Sequence, residues 1–251
     1  MRSGGVGVSR AGASATYRYR VLAAQHRWER RAVRTVLAAG AGVVAAGAAT
    51  WWTGFVVALV AFGLHLAYTR FRPGRVSAWR RGAWAERRTG RRLARLDPAG
   101  FHVLHDRALP DGSKPTTNLD HLVVGLTGVY VVVSRRVRWG AQLRVERRRL
   151  WAGPRPAGRV VGVATRAADA VAELLSADAG YDVDVTPMVV VHGARVPREG
   201  IEHRGVVFHA AGAIPHAIRG EPVIYTSAQV AAMAAVAETA LPPMMETRFV
   251  D

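Results

Sequence analysis

The sequence predicts an α/β domain preceded by a two-helix transmembrane hairpin, and three observations carry that prediction. Val36 to Thr69 runs for 34 residues without a formal charge, between two Arg-rich segments. Two β-rich stretches flank Gly125-Leu126-Thr127-Gly128. Around them the patterns succeed one another as helix, strands, helix, strand, helix, the order of an α/β layer structure. The chain has 251 residues, 50% hydrophobic and 21% charged, a composition that packs a core and excludes wholesale disorder. With no cysteine, disulfides, thiolate metal sites and thiol catalysis are excluded.

Charge position says more than the total of +17. Met1 to Thr35 holds eight Arg against one acid, and Arg70 to Ala99 holds ten Arg against two. Gly100 to Asp251 keeps a net of only +2, so the basic character belongs to the two segments that bracket the uncharged run. As one helix that run would be roughly 51 Å long, against a hydrocarbon core of about 30 Å. Thr50-Trp51-Trp52-Thr53-Gly54 breaks it at the middle, with interfacial aromatics and a glycine able to turn the chain. Two spans are therefore expected, within residues 32–69, near 32–50 and 52–69. Ala38, Gly42 and Ala46, four residues apart, allow close approach of a partner helix.

Arginine on both flanks and none at the Trp-Trp turn predicts a two-span membrane protein with both termini in the cytoplasm. Residues 1–31 form a basic leader, disordered over 1–17. A signal peptide is not expected, because the charged leader is long and no small-residue cleavage site follows the apolar stretch. The juxtamembrane Arg clusters suit anionic lipid headgroups, at about 1 kcal/mol per residue near the surface. They suit nucleic-acid phosphates as well, but lipid lies closer; Trp79 and Trp84 add a thin aromatic element for single strands.

Residues 70–251 make the cytoplasmic domain. Val76 to Leu96 reads as a helix closed by Asp97-Pro98 and Gly100. Trp79, Ala83, Glu86, Gly90 and Leu93 share its inner face, which leaves two readings of Glu86: a partly buried glutamate paired with Arg, or an active-site carboxylate. Phe101 to His105 reads as a strand, followed by a turn-rich loop over 106–117 with Pro110-Asp111-Gly112 and Lys114-Pro115. Asn118–Val124 and Val129–Ser134 form the central hairpin. With Leu126 and Thr127 as a two-residue loop, paired residues sum to 253, so Asp120 opposes Val133 and Arg135 shares that face. A short hairpin over 142–151, a helix over 163–176 with Val163, Ala167 and Val171 inward, a buried strand over 187–191, a strand over 206–209 and a helix over 227–241 complete the domain.

A metal-dependent nuclease needs at least two carboxylates a few ångströms apart to hold Mg²⁺ against a phosphate, and a nearby Lys. A hairpin with Asp on one strand and acid-x-Lys on the next supplies such a set. Here Asp120 is present, but the paired position is Val133 and the next on its face is Arg135, so the second metal ligand is missing.

Gly82-Ala-Trp-Ala-Glu86-Arg-Arg-Thr-Gly-Arg-Arg-Leu, His102-Val-Leu-His-Asp106, Asn118-Leu-Asp-His-Leu-Val-Val-Gly125, Gly128-Val-Tyr-Val-Val and Trp139-Gly140 together resemble the NERD (nuclease-related domain) family. The resemblance is good over about 76–151 and weaker to about 216. It implies a restriction-endonuclease-like PD-(D/E)xK fold, with Mg²⁺ as the cofactor if active and none otherwise. An N-terminal pair of spans is known in actinobacterial members, in keeping with this chain. By residue, the resemblance matches Glu86 to the helix acid, Asp120 to the strand aspartate and metal ligand, and Arg135 to the catalytic lysine position. Asn118, Arg135 and Arg136 are the expected nucleic-acid contacts. Val133-Ser134-Arg135 stands where the family usually has Asp-Ser-Lys: valine binds no cation, and Arg135 stays protonated, able to clamp a phosphate but not to act as a base. The expectation is a degenerate site that works by binding nucleic acid or a partner. Left open are an active endonuclease in which Glu146 or Asp106 has replaced the lost acid, and a membrane scaffold without a nucleic-acid role.

None of the nine histidines makes a ligand-like cluster. His102 and His105 face opposite ways on a strand, His121 points away from Asp120, and His192 at a strand end has two readings, near a site or, more often, solvated or capped. Ser134 lacks the His and acid partners of a nucleophile.

Overall fold

The computed structural model describes residues 10–25, 27–71, 75–109 and 118–245. They form two compact units: residues 15–80, and the described residues up to 14 together with those from 81 onward.

The first unit is helical. Helix α1 is Ala13–Gln25, α2 is Arg27–Ala48 and α3 is Trp51–Phe71. The leader expected to be disordered is thus helical from Ala13, a difference that local composition does not explain. Helices α2 and α3 are each long and apolar enough to cross a membrane. Most of their large side chains face outward, as with Val36 at 70% and Leu64 at 67% exposure. They meet through small residues: a Cβ placed on Gly54 would lie 2.6 Å from Ala46 Cβ and 2.6 Å from the Gly42 carbonyl. Ala38 and Gly42 are the buried residues of α2, so the expected small-residue stripe is the seam of the hairpin.

The second unit is a mixed α/β domain. Helix α4 (Arg75–Leu93) leads into it, followed by β1 (Phe101–Ala108), β2 (Asn118–Gly125), β3 (Gly128–Arg136), β4 (Leu143–Glu146), β5 (Arg149–Ala152) and β6 (Arg155–Pro156). Then come α5 (Arg159–Ala179), β7 (Val185–His192), β8 (Ile201–His203), β9 (Val206–Ala210), α6 (Ile214–Gly220) and α7 (Ser227–Ala240). A six-stranded sheet runs β1-β2-β3-β7-β9-β8, and β4-β5-β6 form a small second sheet. Strands β3, β7 and β9 are parallel, and the outer pairs are antiparallel.

Each face of the large sheet carries a core. Leu122, Val131, Val133 and Val189 pack with Val171 and Leu175 of α5 and Val230 and Met233 of α7. Val123, Tyr130, Val132 and Val190 pack with Leu93 of α4 and Ile214 and Ile218 of α6. The central hairpin has the predicted register: His121 pairs with Val132 and Gly125 with Gly128, each pair summing to 253.

Three details differ from the sequence reading. Strand β1 continues to Ala108, through charged residues that look like loop in sequence. Arg107 donates to the Leu241 carbonyl at 3.1 Å and the Ala108 N–H to the Pro242 carbonyl at 2.9 Å, so the C-terminal segment satisfies this edge. Helix α5 buries Val161, Ala164 and Ala168 where Val163 was expected. Strand β8 and helix α6 are too short to leave a periodic signal. The turn residues Pro110-Asp111-Gly112 and Lys114-Pro115 lie outside the described residues.

Candidate functional site

Helix α4 lays Glu86 against the sheet, and β2 presents Asp120 beyond the last bonded pair of the hairpin. Asp106 of β1 sits in the left-handed region at φ 51°, and its flanking residues His105 and Arg107 pair with His121 and Leu119 across β2. All three carboxyl groups are buried, with Asp106 fully so. They interact electrostatically, Asp120 and Asp106 both acting on Glu86 and Asp106 on Asp120. Burial first, then these like charges, push the Glu86 carboxyl up to about 9, against the weaker pull of Arg135 and Arg87. Burial likewise raises Asp120, although Arg135 and the Ser134 N–H, which donates to Asp120 Oδ2 at 2.8 Å, favour its ionised form. Glu86 Oε2 is buried with no hydrogen-bond partner among the described residues.

Glu86, Asp106 and Asp120 thus act on one another electrostatically, and Arg135 acts on Glu86 and Asp120. Of the two acids considered as replacements, Glu146 is exposed on β4 and held by Arg144 at 3.3 Å, whereas Asp106 is buried and acts on Glu86 and Asp120. Val133 is 4% exposed within the aliphatic core under α5, which leaves the acid of the family pattern without a substitute at that position.

Mg²⁺, implied by the resemblance, does not fit these donors as they stand. Among the described residues no group of three His, Asp or Glu side chains converges on a cation. Asp106 is committed elsewhere, since the Ser14 N–H donates to its Oδ2 at 2.6 Å and the Ser14 hydroxyl to its Oδ1 at 2.5 Å. Asn118, expected to touch nucleic acid, instead turns its amide inward and donates to Ser14 Oγ at 3.1 Å.

Beside the carboxylates runs a chain of buried polar groups that strand alternation did not reveal. His105 and His121, cross-strand neighbours, bring their Nδ1 atoms to 2.9 Å. His121 Nε2 lies 3.3 Å from Ser134 Oγ, which donates to Thr89 Oγ1 at 2.7 Å, and Thr89 meets His192 Nε2 at 2.9 Å. His192 is thus buried and bonded, not solvated. Burial lowers all three imidazoles, His192 to about 4 with help from Arg88 and Arg136, so the chain is neutral near pH 7. Ser134 is 2% exposed and bonded within it, so it meets no substrate.

Above this layer the surface is basic. Arg136 and Arg88 lie 4.6 and 5.2 Å from the Trp84 ring centroid, and His192 packs its edge on the same indole. Arg135 and Arg136 end β3 exposed to solvent, and Arg138 and Trp139 follow in an exposed loop, Trp139 at 89%. A separate cavity of about 1020 Å³, lined by Tyr130, His209 and Glu221, holds none of these groups.

Comparison with known proteins bears on this arrangement. The family described as "Nuclease-related domain" (NERD) matches residues 81–192, which contain the three carboxylates, the histidine chain and the arginines of the rim. Residues 81–192 are a NERD domain. An uncharacterized protein of Bacillus anthracis is 37% identical over 60 residues, 24% of this chain and 28% of that protein's length. No solved structure matches. The NERD domain ends at the last residue of β7, so β8, β9, α6 and α7 extend the sheet and cover it outside the matched region.

Proposed function

We propose that this protein is a membrane-anchored nuclease-related protein whose NERD domain binds nucleic acid without cutting it. The observation that carries this reading is the pairing of Val133, buried in the core, with Arg135, whose guanidinium acts on Glu86 and Asp120 from the place of the family's lysine. A fixed cation then replaces the exchangeable one. Such a site holds a phosphate oxygen at Arg135 but supplies neither a metal-activated water nor a base. Arg136, Arg88 and Trp84 extend it as a basic and aromatic track suited to a phosphate backbone and an unstacked base. In this reading α2 and α3 cross the bacterial cytoplasmic membrane with both termini inside, and the flanking Arg clusters rest on anionic lipid. The PD-(D/E)xK fold and the actinobacterial origin that the family resemblance implies belong to the same reading.

The test is binding of labelled DNA and RNA by the full chain in detergent, by fluorescence anisotropy across a salt series. Binding should fall with salt, persist in EDTA, and weaken on Arg135→Ala with a salt slope smaller by about one. Salt-insensitive or absent binding would refute the reading and favour a scaffold role. A second reading, an active Mg²⁺-dependent endonuclease, draws on the presence of Asp106 beside Glu86 and Asp120. It predicts Mg²⁺- or Mn²⁺-dependent cutting that Asp120→Ala abolishes.

A further inference from the structure

The small sheet β4-β5-β6 contributes no residue to the site described above, and its first hairpin turns in an unusual way. Glu146 and Arg149 are the last bonded pair of β4 and β5, so Arg147 and Arg148 alone form the loop. Both are left-handed, at φ 47° and 61°. A two-residue loop with φ positive at both positions has the type I′ geometry, which Asn-Gly adopts freely and a longer side chain adopts only against backbone strain. Two guanidiniums thus stand at a tip where local folding favours other residues.

The two faces of the hairpin differ. Leu143 and Leu150, on one face, are buried in the aliphatic core and anchor the ribbon. On the other, Arg144 opposes Trp151 and Glu146 opposes Arg149. Together with Arg147 at the tip, Arg144, Arg149 and Trp151 line a groove of about 570 Å³. Arg144 is committed, since Glu146 holds it at 3.3 Å and it donates to the Gly153 carbonyl at 3.1 Å. Arg147, Arg148 and Arg149 are exposed and have no hydrogen-bond or ion-pair partner among the described residues. Their charges are left for an external anion.

We infer that the β4–β5 hairpin is a second nucleic-acid contact of the NERD domain, a ribbon that takes the phosphates of a duplex at Arg147, Arg148 and Arg149. The inference deepens the proposed function and rests on it. A major groove admits a two-stranded ribbon, and guanidinium forks match phosphate oxygens. An anionic membrane surface suits the hairpin less well, because its tip presents two arginines and no apolar side chain to insert beside them.

The test uses the full chain in phosphatidylcholine nanodiscs, with a labelled DNA duplex and its single strand as probes. Arg147→Asn combined with Arg148→Gly installs the turn pair that the backbone prefers, so the hairpin should fold at least as well while losing both guanidiniums. Duplex binding should weaken about tenfold, and the slope of log affinity against log salt should fall by about two. The single strand should lose less. Phosphatidylserine added to the discs should leave the difference between variant and natural chain in place. Unchanged duplex affinity and slope in the folded variant, an equal loss on the single strand, or a difference that phosphatidylserine erases would each overturn the inference, the last by assigning the hairpin to lipid. Arg135→Ala, measured alongside, separates this inference from the proposed function. A loss there with none in the hairpin variant defeats the hairpin alone, whereas a natural chain that binds neither probe defeats both.

Discussion

Glu86→Gln should stabilise the NERD domain, and increasingly so as pH rises. The Glu86 carboxyl is raised from 4.5 to about 9 in the folded protein, by burial and then by Asp120 and Asp106. Between those values the folded state keeps a proton that the unfolded state has released. The stabilising contribution is therefore full below about pH 4.5 and is lost as pH rises toward 9, at about 1.4 kcal/mol per pH unit. At pH 7.5 the accumulated cost is roughly 4 kcal/mol, whereas at pH 5 it is below about 1 kcal/mol. Glutamine keeps the size and the hydrogen-bonding ends of the protonated acid without this cost. For a domain of this size 1 kcal/mol moves Tm by about 2–4 °C, so the variant should melt about 8 °C or more above the natural chain at pH 7.5 and nearly with it at pH 5. The assay is thermal unfolding of the detergent-solubilised chain, followed by tryptophan fluorescence from pH 5 to 8. A Glu86→Gln variant that is equally or less stable across that range would refute the reasoning. It would mean that Glu86 is ionised in the fold and held by Arg135 and Arg87.

His192 acts in the opposite sense. Its folded value, lowered from 6.5 to about 4, means that the unfolded chain gains a proton first as pH falls, so stability present above 6.5 is lost on acidification. After allowance for solvent screening, the loss between pH 6.5 and 5 is about 1 kcal/mol, and His192→Gln should flatten that limb of the same melting profile. In the helical hairpin, Gly54→Leu should force α2 and α3 apart, since even a Cβ there meets Ala46 and the Gly42 carbonyl at 2.6 Å. A lower aggregation temperature in detergent is expected, with an exposed-face change such as Leu64→Ala as the neutral control.

Much of the frame was legible because it is written in local pattern. An uncharged run between Arg clusters marks two apolar helices whatever else the chain does, and Gly-Leu-Thr-Gly between alternating strands sets a register that the bonded pairs His121–Val132 and Gly125–Gly128 share. The helix face carrying Glu86, Gly90 and Leu93 was legible for the same reason, since 3.6-residue periodicity needs no tertiary information. Asp106 was harder. It stands in a strand that charged residues disguise, at a left-handed backbone angle, and its place beside Glu86 and Asp120 requires β1 to pair with β2 across a long connection. The histidine chain was missed because alternation along one strand says which residues face apart but not which meet across strands.

By itself, then, the sequence determined the two apolar helices, the hairpin register, the buried face of α4 and the loss of a ligand at Val133, all properties of neighbours within a few residues. Tertiary structure alone decided that Ser14 reaches Asp106 across 92 positions and that Thr89 joins His192 across 103. Contacts of that range leave no periodicity in the chain. They exist because burying a carboxylate or a hydroxyl demands a partner, and the fold, not the local sequence, determines which one arrives.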